Sequence, residues 1–270
     1  MAIDAAYVIG GAVVGFIVGA TGVGGGSLMT PLLTLVFNVP AHMAVGTDLL
    51  FAAITKSSGV VAHSRAKTVH WGIAMWQVLG SVSAAIITLG LVHWLQPDAT
   101  SLARIMTRTL GVALVLTAGG LLFKSHIQAL GRRLNTGSTA PAPTFDTVAE
   151  THPRVIPTLL VGLVIGTLVA LTSVGAGVLG VVALFFLYPN LAPARIVGTD
   201  IAHAVPLTLV AGLGHATLGA VNWNLLGALL VGSLPAIYLG SMLAARMHER
   251  LLRSFLAVML VGIGSKLLLA

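Results

Sequence analysis

The sequence predicts an all-α polytopic integral membrane protein built from two inverted repeats, each with a broken or re-entrant helical hairpin followed by three transmembrane helices. Composition, a duplicated glycine-rich motif and the distribution of positive charge predict this fold. Of the 270 residues, 57% are hydrophobic and 8% are charged, whereas about 25% charged residues are ordinary in a soluble domain. Apolar segments long enough to cross a bilayer fill most of the chain.

The duplicated motif divides the chain into two units. Residues 21–27 read TGVGGGS and are followed by VGTD at 45–48, and residues 172–177 read TSVGAG and are followed by VGTD at 197–200. The offset is 151 residues at the glycines and 152 at the aspartates. The offset of 152 also pairs other residues of the two halves: His63 with His215, Trp71 with Trp223, and Ser81 with Ser233.

The first unit is assigned to residues 1–123. It opens with an apolar stretch over residues 5–37, which is too long for one span and is divided by the glycines at 22–26. Because a glycine weakens a helix by about 1 kcal/mol, the stretch is predicted to form a helix, a break and a second helix. Three spans are predicted to follow, near residues 41–62, 71–94 and 103–123.

A polar segment over residues 124–154 separates the units. It contains Arg132-Arg133 and a run of Ser, Thr, Ala and Pro, a composition typical of a loop. The second unit, residues 155–270, repeats the plan. It is predicted to have an apolar stretch over 156–188 that is broken near residues 173–177, followed by spans near 193–215, 222–245 and 251–269.

The positive charges decide the orientation of the units. If each broken stretch crosses the membrane once, the units are parallel, and the Lys and Arg residues near helix ends divide seven to six. If each stretch returns to its own side, the units are inverted and the division is ten to three, with only Arg104, Arg108 and Lys266 on the minority side. The positive-inside rule favours the inverted arrangement, with the 124–154 loop cytoplasmic and both termini outside. A re-entrant stretch and a short full crossing both remain open, because they give the same sidedness.

The two breaks are the predicted substrate site. Non-helical backbone at membrane depth is tolerated where it lines a cavity, and a helix restarting there presents free N–H groups and a partial positive charge to an anion. The candidate substrate-binding residues are Thr21, Gly22, Val23, Gly24, Gly25, Gly26, Ser27, Thr172, Ser173, Val174, Gly175, Ala176, Gly177 and Lys56. Two alternatives remain open: the glycines allow close helix packing, and the Lys56 side chain extends to the membrane surface.

Asp48 and Asp200 are the only acidic residues within the predicted spans. Burying each costs about 2.5–3.5 kcal/mol, so a functional role is the default hypothesis. We assign them, with Thr47, Thr199 and His203, to proton coupling or to orienting the glycine breaks. The alternatives are that the Thr-Asp pairs cap helices and that His203 is a packing residue.

The chain resembles the TauE/SafE family of bacterial membrane proteins, which is named for sulfite and sulfonate export. The resemblance rests on residues 15–26, on Val-Gly-Thr-Asp at 45–48, and on the weaker second copies, and it covers both units outside the 124–154 loop. It implies secondary transport of small sulfur-containing anions such as sulfite, sulfoacetate or related organosulfonates. Ser173 and Ala176 replace glycines in the second run, so equal contributions of the two breaks are not implied.

These observations lead us to expect a secondary transporter of the bacterial inner membrane, in which one unit rocks against the other and protons are the coupling ion. A channel-like facilitator for small anions is the alternative. The expected partners are a small anionic substrate and the lipid bilayer, with a homodimer left open and no nucleic acid. We expect no cofactor, no metal and no enzymatic activity, since the sequence has no clustered metal ligands and no nucleophile with an evident base.

Overall fold

A computed structural model describes residues 5–21, 26–136, 152–244 and 249–269, and the regular secondary structure within these ranges is entirely helical. The first unit contains α1 (Ala5–Thr21), α2 (Gly26–Leu35), α3 (Ala41–Arg65), α4 (Trp71–Leu95) and α5 (Ala99–Thr136). The second unit contains α6 (Val155–Thr172), α7 (Val178–Leu187), α8 (Pro193–Thr217), α9 (Trp223–Ala244) and α10 (Glu249–Leu269). The predicted fold class is therefore confirmed.

Six helices in the described part of the chain are long and apolar enough to cross a membrane: α3, α4, α5, α6, α8 and α9. Large apolar side chains cover much of the outer surface, and Ile156, Val164 and Val258 are each more than 60% exposed. Such a surface is unfavourable in water and matches the hydrocarbon of a bilayer. The molecule is a multi-pass membrane protein.

The predicted end of α5 at residue 123 is wrong, because the helix continues to Thr136. The expected loop was inferred from polar residues, yet the extension packs against α7. A Cβ atom at Gly131 would lie 2.6 Å from the Phe186 carbonyl oxygen, which shows that the two backbones are close. Tertiary contact of this kind overrides composition. Of the remainder of the predicted loop, residues 137–151 lie outside the described ranges, and residues 152–154 precede α6 without regular structure.

The packing of α3 against α8 establishes the inverted relation. A Cβ atom at Gly46 would lie 2.9 Å from the Cβ atom of His215, and one at Gly59 would lie 3.3 Å from Cγ2 of Ile201. The beginning of α3 therefore meets the end of α8, and the later part of α3 meets the beginning of α8. Because α3 and α8 are equivalent helices of the two units, their antiparallel packing means that the units run in opposite directions. The prediction of an inverted repeat is confirmed.

The two units interlock through a second pair of contacts. The first helix of each unit packs on a helix of the other unit, α1 on α9 and α6 on α4. A Cβ atom at Gly11 would lie 2.5 Å from the Leu229 carbonyl oxygen, and one at Gly162 would lie 2.5 Å from the Gln77 carbonyl oxygen. The repeat offset relates these two crossings, and both require glycine. They enclose α8, which is the most buried of the candidate spans, and α3, which is the next.

Candidate functional site: a buried charged centre

Asp48 and Asp200 lie at the centre of the molecule, with 0% and 1% of their surface exposed. Because α3 begins at Ala41 and α8 begins at Pro193, both acids lie well inside their helices. The alternative that the two Thr-Asp pairs cap helices is therefore wrong. The carboxylates instead point at other elements of the fold, and each faces the short helix that follows the break of its own unit.

The Asp48 carboxylate connects α2 to the second break. Its Oδ2 atom accepts a hydrogen bond of 2.5 Å from Oγ1 of Thr30, the fifth residue of α2. The Ser173 hydroxyl also interacts with this carboxylate. Even so, Asp48 Oδ1 and Ser173 Oγ are both buried without a well-formed hydrogen bond to any part of the chain that the structure describes. Buried polar atoms are normally hydrogen-bonded, so this position has unused capacity to bind a polar ligand.

The Asp200 carboxylate lies against the beginning of α7. A Cβ atom at Gly180, the third residue of that helix, would collide with Asp200 Oδ1. Any other residue at this position would displace the carboxylate. The first turn of a helix carries partial positive charge from its unpaired N–H groups, so Asp200 occupies a place where negative charge is favourable.

A line of buried polar groups continues from Asp200 to α4. His203 Nδ1 lies 3.9 Å from Asp200 Oδ1, which is too long for a hydrogen bond, and His203 Nε2 lies 2.9 Å from Ser81 Oγ. One turn earlier on α4, the amide atoms of Gln77 are buried and have no partner among the described residues. His203 was a predicted site residue, whereas Ser81 and Gln77 were missed. The sequence feature that could have identified both residues is a polar side chain within a predicted span.

Lys56 lies on α3 two turns after Asp48 and is half-buried. Its Nζ atom donates to the carbonyl oxygen of Ala176, within the second break, and its charge interacts with both Asp48 and Asp200. This contact places the cation in the centre of the site. The alternative that Lys56 extends to the membrane surface does not describe its position.

The second break has the geometry of a helix end followed by a new helix start. Ser173 adopts a left-handed conformation with φ of 60°, and its N–H group donates to the Val169 carbonyl. The hydroxyl of Thr172 accepts from the N–H group of Val174 at 3.1 Å. These bonds end α6 while leaving the Ser173 side chain beside Asp48.

The helix after this break starts without a side-chain cap. Its N-cap residue is Gly177, whose φ of 152° suits glycine and whose lack of a side chain leaves the first N–H groups of α7 uncapped. Gly175 has φ of 128° and its carbonyl accepts from Gly180 N at 3.1 Å. Uncapped N–H groups at a helix start are suited to binding an anion.

The first break is described only at its edges. Thr21 is the last residue of α1 and Gly26 is the first residue of α2, and Ser27 is buried. The predicted site residues Gly22, Val23, Gly24 and Gly25 lie outside the described residues. The geometry of a complete break is therefore described in the second unit alone.

Thr47 and Thr199, which were predicted to serve coupling, form a reciprocal pair of contacts between the units. Thr47 Oγ1 accepts from the N–H group of Asn222 at 3.1 Å, and Thr199 Oγ1 accepts from the N–H group of His70 at 2.9 Å. His70 and Asn222 are themselves related by the repeat offset of 152 and precede α4 and α9. Each threonine thus holds the start of a helix in the other unit.

Two inverted and interlocked units, each with a broken helix facing a buried charged centre, define the architecture of a multi-pass membrane transporter. The chain belongs to the sulfite exporter TauE/SafE family, whose family model matches residues 7–267. The resemblance noted from the glycine and Val-Gly-Thr-Asp motifs is thereby confirmed, and the members of this family are membrane transporters.

Curated relatives cover nearly the whole chain. The "Probable membrane transporter protein YjnA" of Bacillus subtilis is 36% identical over 258 residues, which are 96% of this chain and 97% of that protein. A second protein of Bacillus subtilis, "Probable membrane transporter protein YdhB", is 27% identical over 92% of this chain and 94% of its own length. The "Probable membrane transporter protein MJ0441" of Methanocaldococcus jannaschii is 24% identical over 93% and 90%. No solved structure matches this chain.

Proposed function

We propose that this protein is a secondary transporter of the bacterial inner membrane that moves small sulfur-containing anions, such as sulfite or sulfoacetate, by alternating access coupled to protons. The observation that carries the proposal is the position of Lys56, whose charge interacts with two buried carboxylates and whose Nζ atom donates to Ala176, beside the uncapped start of α7. A cation, the buried Ser173 hydroxyl and a helix start together suit an anionic oxygen-rich head group.

The charges of the site explain why anion binding would be coupled to protons. With Asp48 and Asp200 ionised and Lys56 protonated, the centre carries a net charge of −1. A carboxylate and an anion 4 Å apart repel each other by about 4 kcal/mol at an effective dielectric constant near 20. Neutralising one carboxylate removes a repulsion of this size, so a bound anion favours proton uptake, and by thermodynamic reciprocity a proton favours anion binding.

Asp200 is the better placed of the two acids to exchange a proton. Its carboxylate lies against the start of α7, where a substrate anion would bind, so the two negative groups would repel each other there. His203 faces Asp200 through Nδ1 and Ser81 through Nε2. An imidazole in this position can take a proton on one nitrogen and release one from the other. We therefore assign proton exchange to Asp200 and His203, and positioning of the second break to Asp48.

The interlocked packing indicates which bodies would move. The close glycine crossings join α1 to α9 and α6 to α4, and each pair combines helices of both units. A unit cannot rock as a whole without breaking one of these crossings. We propose instead that the α1–α9 pair and the α4–α6 pair move against each other around α3 and α8.

Uptake of sulfoacetate into proteoliposomes tests the proposal. Purified protein should give saturable uptake that is faster when the outside is acidic than when both sides have the same pH. Lys56→Gln should lower apparent affinity by about tenfold or more, since a hydrogen bond to a charged group contributes about 1.5–3 kcal/mol. Arg65→Gln, which removes an exposed cation from the last turn of the same helix, is the matched control and should leave uptake unchanged.

Each alternative gives a different result in the same assay. Saturable uptake that ignores the pH gradient would remove the coupling claim and leave a facilitator. Fast flux that never saturates would favour the channel-like conduit. If Lys56→Gln and Arg65→Gln behave alike, the buried centre is not where the anion binds.

A further inference from the structure

A cavity of about 190 Å³ lies outside the charged centre, where α3 and α5 begin and where α4, α6 and α8 end. Three of its lining residues are histidines: His42, His93 and His215. We call it the histidine cavity. Since a water molecule occupies about 30 Å³ of liquid, the volume corresponds to about six waters, which is room for a small ion.

His215 supplies the cavity with an unused polar atom. The residue is 4% exposed, and its Nε2 atom donates to the Ala170 carbonyl oxygen at 2.8 Å. Its Nδ1 atom has no hydrogen-bond partner within the part of the chain that the structure describes. A buried imidazole nitrogen normally has a partner, so Nδ1 is available to a ligand that enters the cavity.

The chemistry of the lining selects an anion. Among the described residues, no three His, Asp or Glu side chains are close enough to hold a metal ion, although three imidazoles would suit one in type. The histidines are the titratable residues of the lining, and a protonated imidazole has only donors. When the imidazoles are protonated, a ligand that bridges them is therefore larger than a metal ion and rich in acceptor oxygens.

The nearest charged groups in sequence do not line the cavity. The carboxylate of Asp98 accepts from Ser101 N at 2.9 Å and caps the start of α5, and this bond lowers the pKa of Asp98. Arg104 lies on the following turn with its side chain exposed. Protonated histidines would therefore give the lining a net positive charge.

The cavity is joined to the second break through His215. Ala170 lies two residues before Thr172, in the last turn of α6, where carbonyl groups lack partners within the helix. His215 satisfies one of these groups through its Nε2 atom. A ligand bound to the Nδ1 atom of the same imidazole would therefore be linked to the end of α6 and to the break that follows.

This arrangement belongs to one end of the molecule. By the repeat offset of 152, the positions that correspond to His42 and His93 are Ala194 and Ala245. The remaining counterpart, His63, is bonded through Nδ1 to Thr68 Oγ1 at 2.7 Å. The inverted repeat therefore does not generate a second histidine cavity on the opposite face.

We propose that the histidine cavity is a second binding site for a small oxyanion or sulfonate. The site lies between the membrane surface and the second break, and it is occupied when its imidazoles are protonated. The proposal deepens the proposed function, since it takes the ligand to be the transported anion. It makes uptake from this face sensitive to pH for a reason separate from the two buried aspartates.

Thiol labelling tests this second binding site without requiring transport. It is specific for an introduced residue because the chain contains no cysteine. A single reporter is introduced as Leu218→Cys, at a lining residue, and a second as Val92→Cys. Each is labelled with the anionic 2-sulfonatoethyl methanethiosulfonate and with its cationic trimethylammonium analogue. The ratio of the two rates cancels the pH dependence of the thiol itself. We expect this ratio to rise about tenfold from pH 8 to pH 5.5.

Three controls make the result specific. Thr100→Cys, an exposed reporter at the same end of α5, should show little change in the ratio. His42→Gln together with His93→Gln should remove most of the rise at both lining reporters while leaving the His215 bond to α6 intact. Methanesulfonate should protect the lining reporters at pH 5.5 and not at pH 8.

The outcomes separate this inference from the proposed function. A ratio that stays flat at both lining reporters, or a rise that survives loss of His42 and His93, overturns the proposed second binding site. This holds whether or not the protein transports sulfonates. A rise that depends on the histidines supports it even if Lys56→Gln leaves uptake unchanged. That combination would reject the charged centre and keep the cavity.

Discussion

The two units share a scaffold and differ in the polar groups that the scaffold carries. The glycine crossings and the bonds of Thr47 and Thr199 to the opposite unit recur at the repeat offset with nearly the same geometry. The acids do not match. Asp48 is held by a hydroxyl on α2, whereas Asp200 lies against Gly180 and faces a histidine. The inverted frame is thus symmetric, and its chemistry is not.

The sequence shows where this asymmetry originates. At the offset of 152, His203 corresponds to Phe51 and Gln77 corresponds to Leu229. The polar line from Asp200 to α4 is therefore interrupted by apolar residues in the other copy, although Ser81 has a counterpart in Ser233. A symmetric frame suits the alternating access proposed above, in which packed bodies move around a fixed site. A single polar line would give the proton one exchange route. This division suggests that the copies diverged in chemistry while their packing stayed constrained.

Enlarging the paired glycines should have the largest effect and tests the symmetry of the frame. Gly11→Val and Gly162→Val each place side-chain atoms against a carbonyl oxygen that a Cβ atom alone would approach to 2.5 Å. Because the obstacle is backbone, each should destabilise the protein by about 3 kcal/mol or more. The yield of monodisperse protein and its Tm are the measurements. Gly90→Val, at a site with nothing within 4 Å, should be tolerated.

Equal losses at the two crossings would establish that they contribute alike. If Gly11→Val folds normally while Gly162→Val does not, the first helix is held less firmly than the sixth. The two helix pairs would then no longer be equivalent moving bodies.

Neutralising the acids one at a time tests the asymmetry of the chemistry. Asp200→Asn should abolish the stimulation of sulfoacetate uptake by a pH gradient. It should also reduce the rate of uptake by about 10²-fold, which is the lower end of the range for loss of a proton-transfer group. Asp48→Asn should retain stimulation, because an amide oxygen can still accept the bond from Thr30. Uptake rates at several gradients measure both effects. If the two variants lose stimulation equally, proton coupling depends on Asp48 and Asp200 together. That result would contradict the separate roles proposed for them.

Much of the frame could be predicted from the sequence because its signals are local. Glycine runs, apolar lengths and Val-Gly-Thr-Asp repeats located the breaks, the helices and both buried acids, and the charge bias gave the inversion that the α3–α8 contact confirms. The extension of α5 could not be predicted, since it depends on packing against α7. Composition over residues 124–136 carries no information about that contact.

The partners of the acids could not be predicted, for a different reason. Thr30, Ser81 and Gly180 are ordinary residues in apolar helices, and only the crossing of those helices with α3 and α8 brings them to the carboxylates. The sequence also offered no way to choose between coupling and capping for Thr47 and Thr199. Their bonds to the opposite unit follow from the interlocked fold.

Removing those two bonds should have the smallest effect and decides whether the threonines are scaffold or coupling residues. Thr47→Val and Thr199→Val keep side-chain volume while leaving a backbone N–H group of the other unit without its acceptor. Each should destabilise the protein by about 1–2 kcal/mol, seen as a fall in Tm, with Thr199→Val the larger because its hydroxyl also donates to the Arg195 carbonyl. Stimulation of uptake by a pH gradient should persist in both variants. A threonine whose loss leaves Tm unchanged and removes that stimulation would belong to the coupling machinery, and the symmetric frame would then carry chemistry after all.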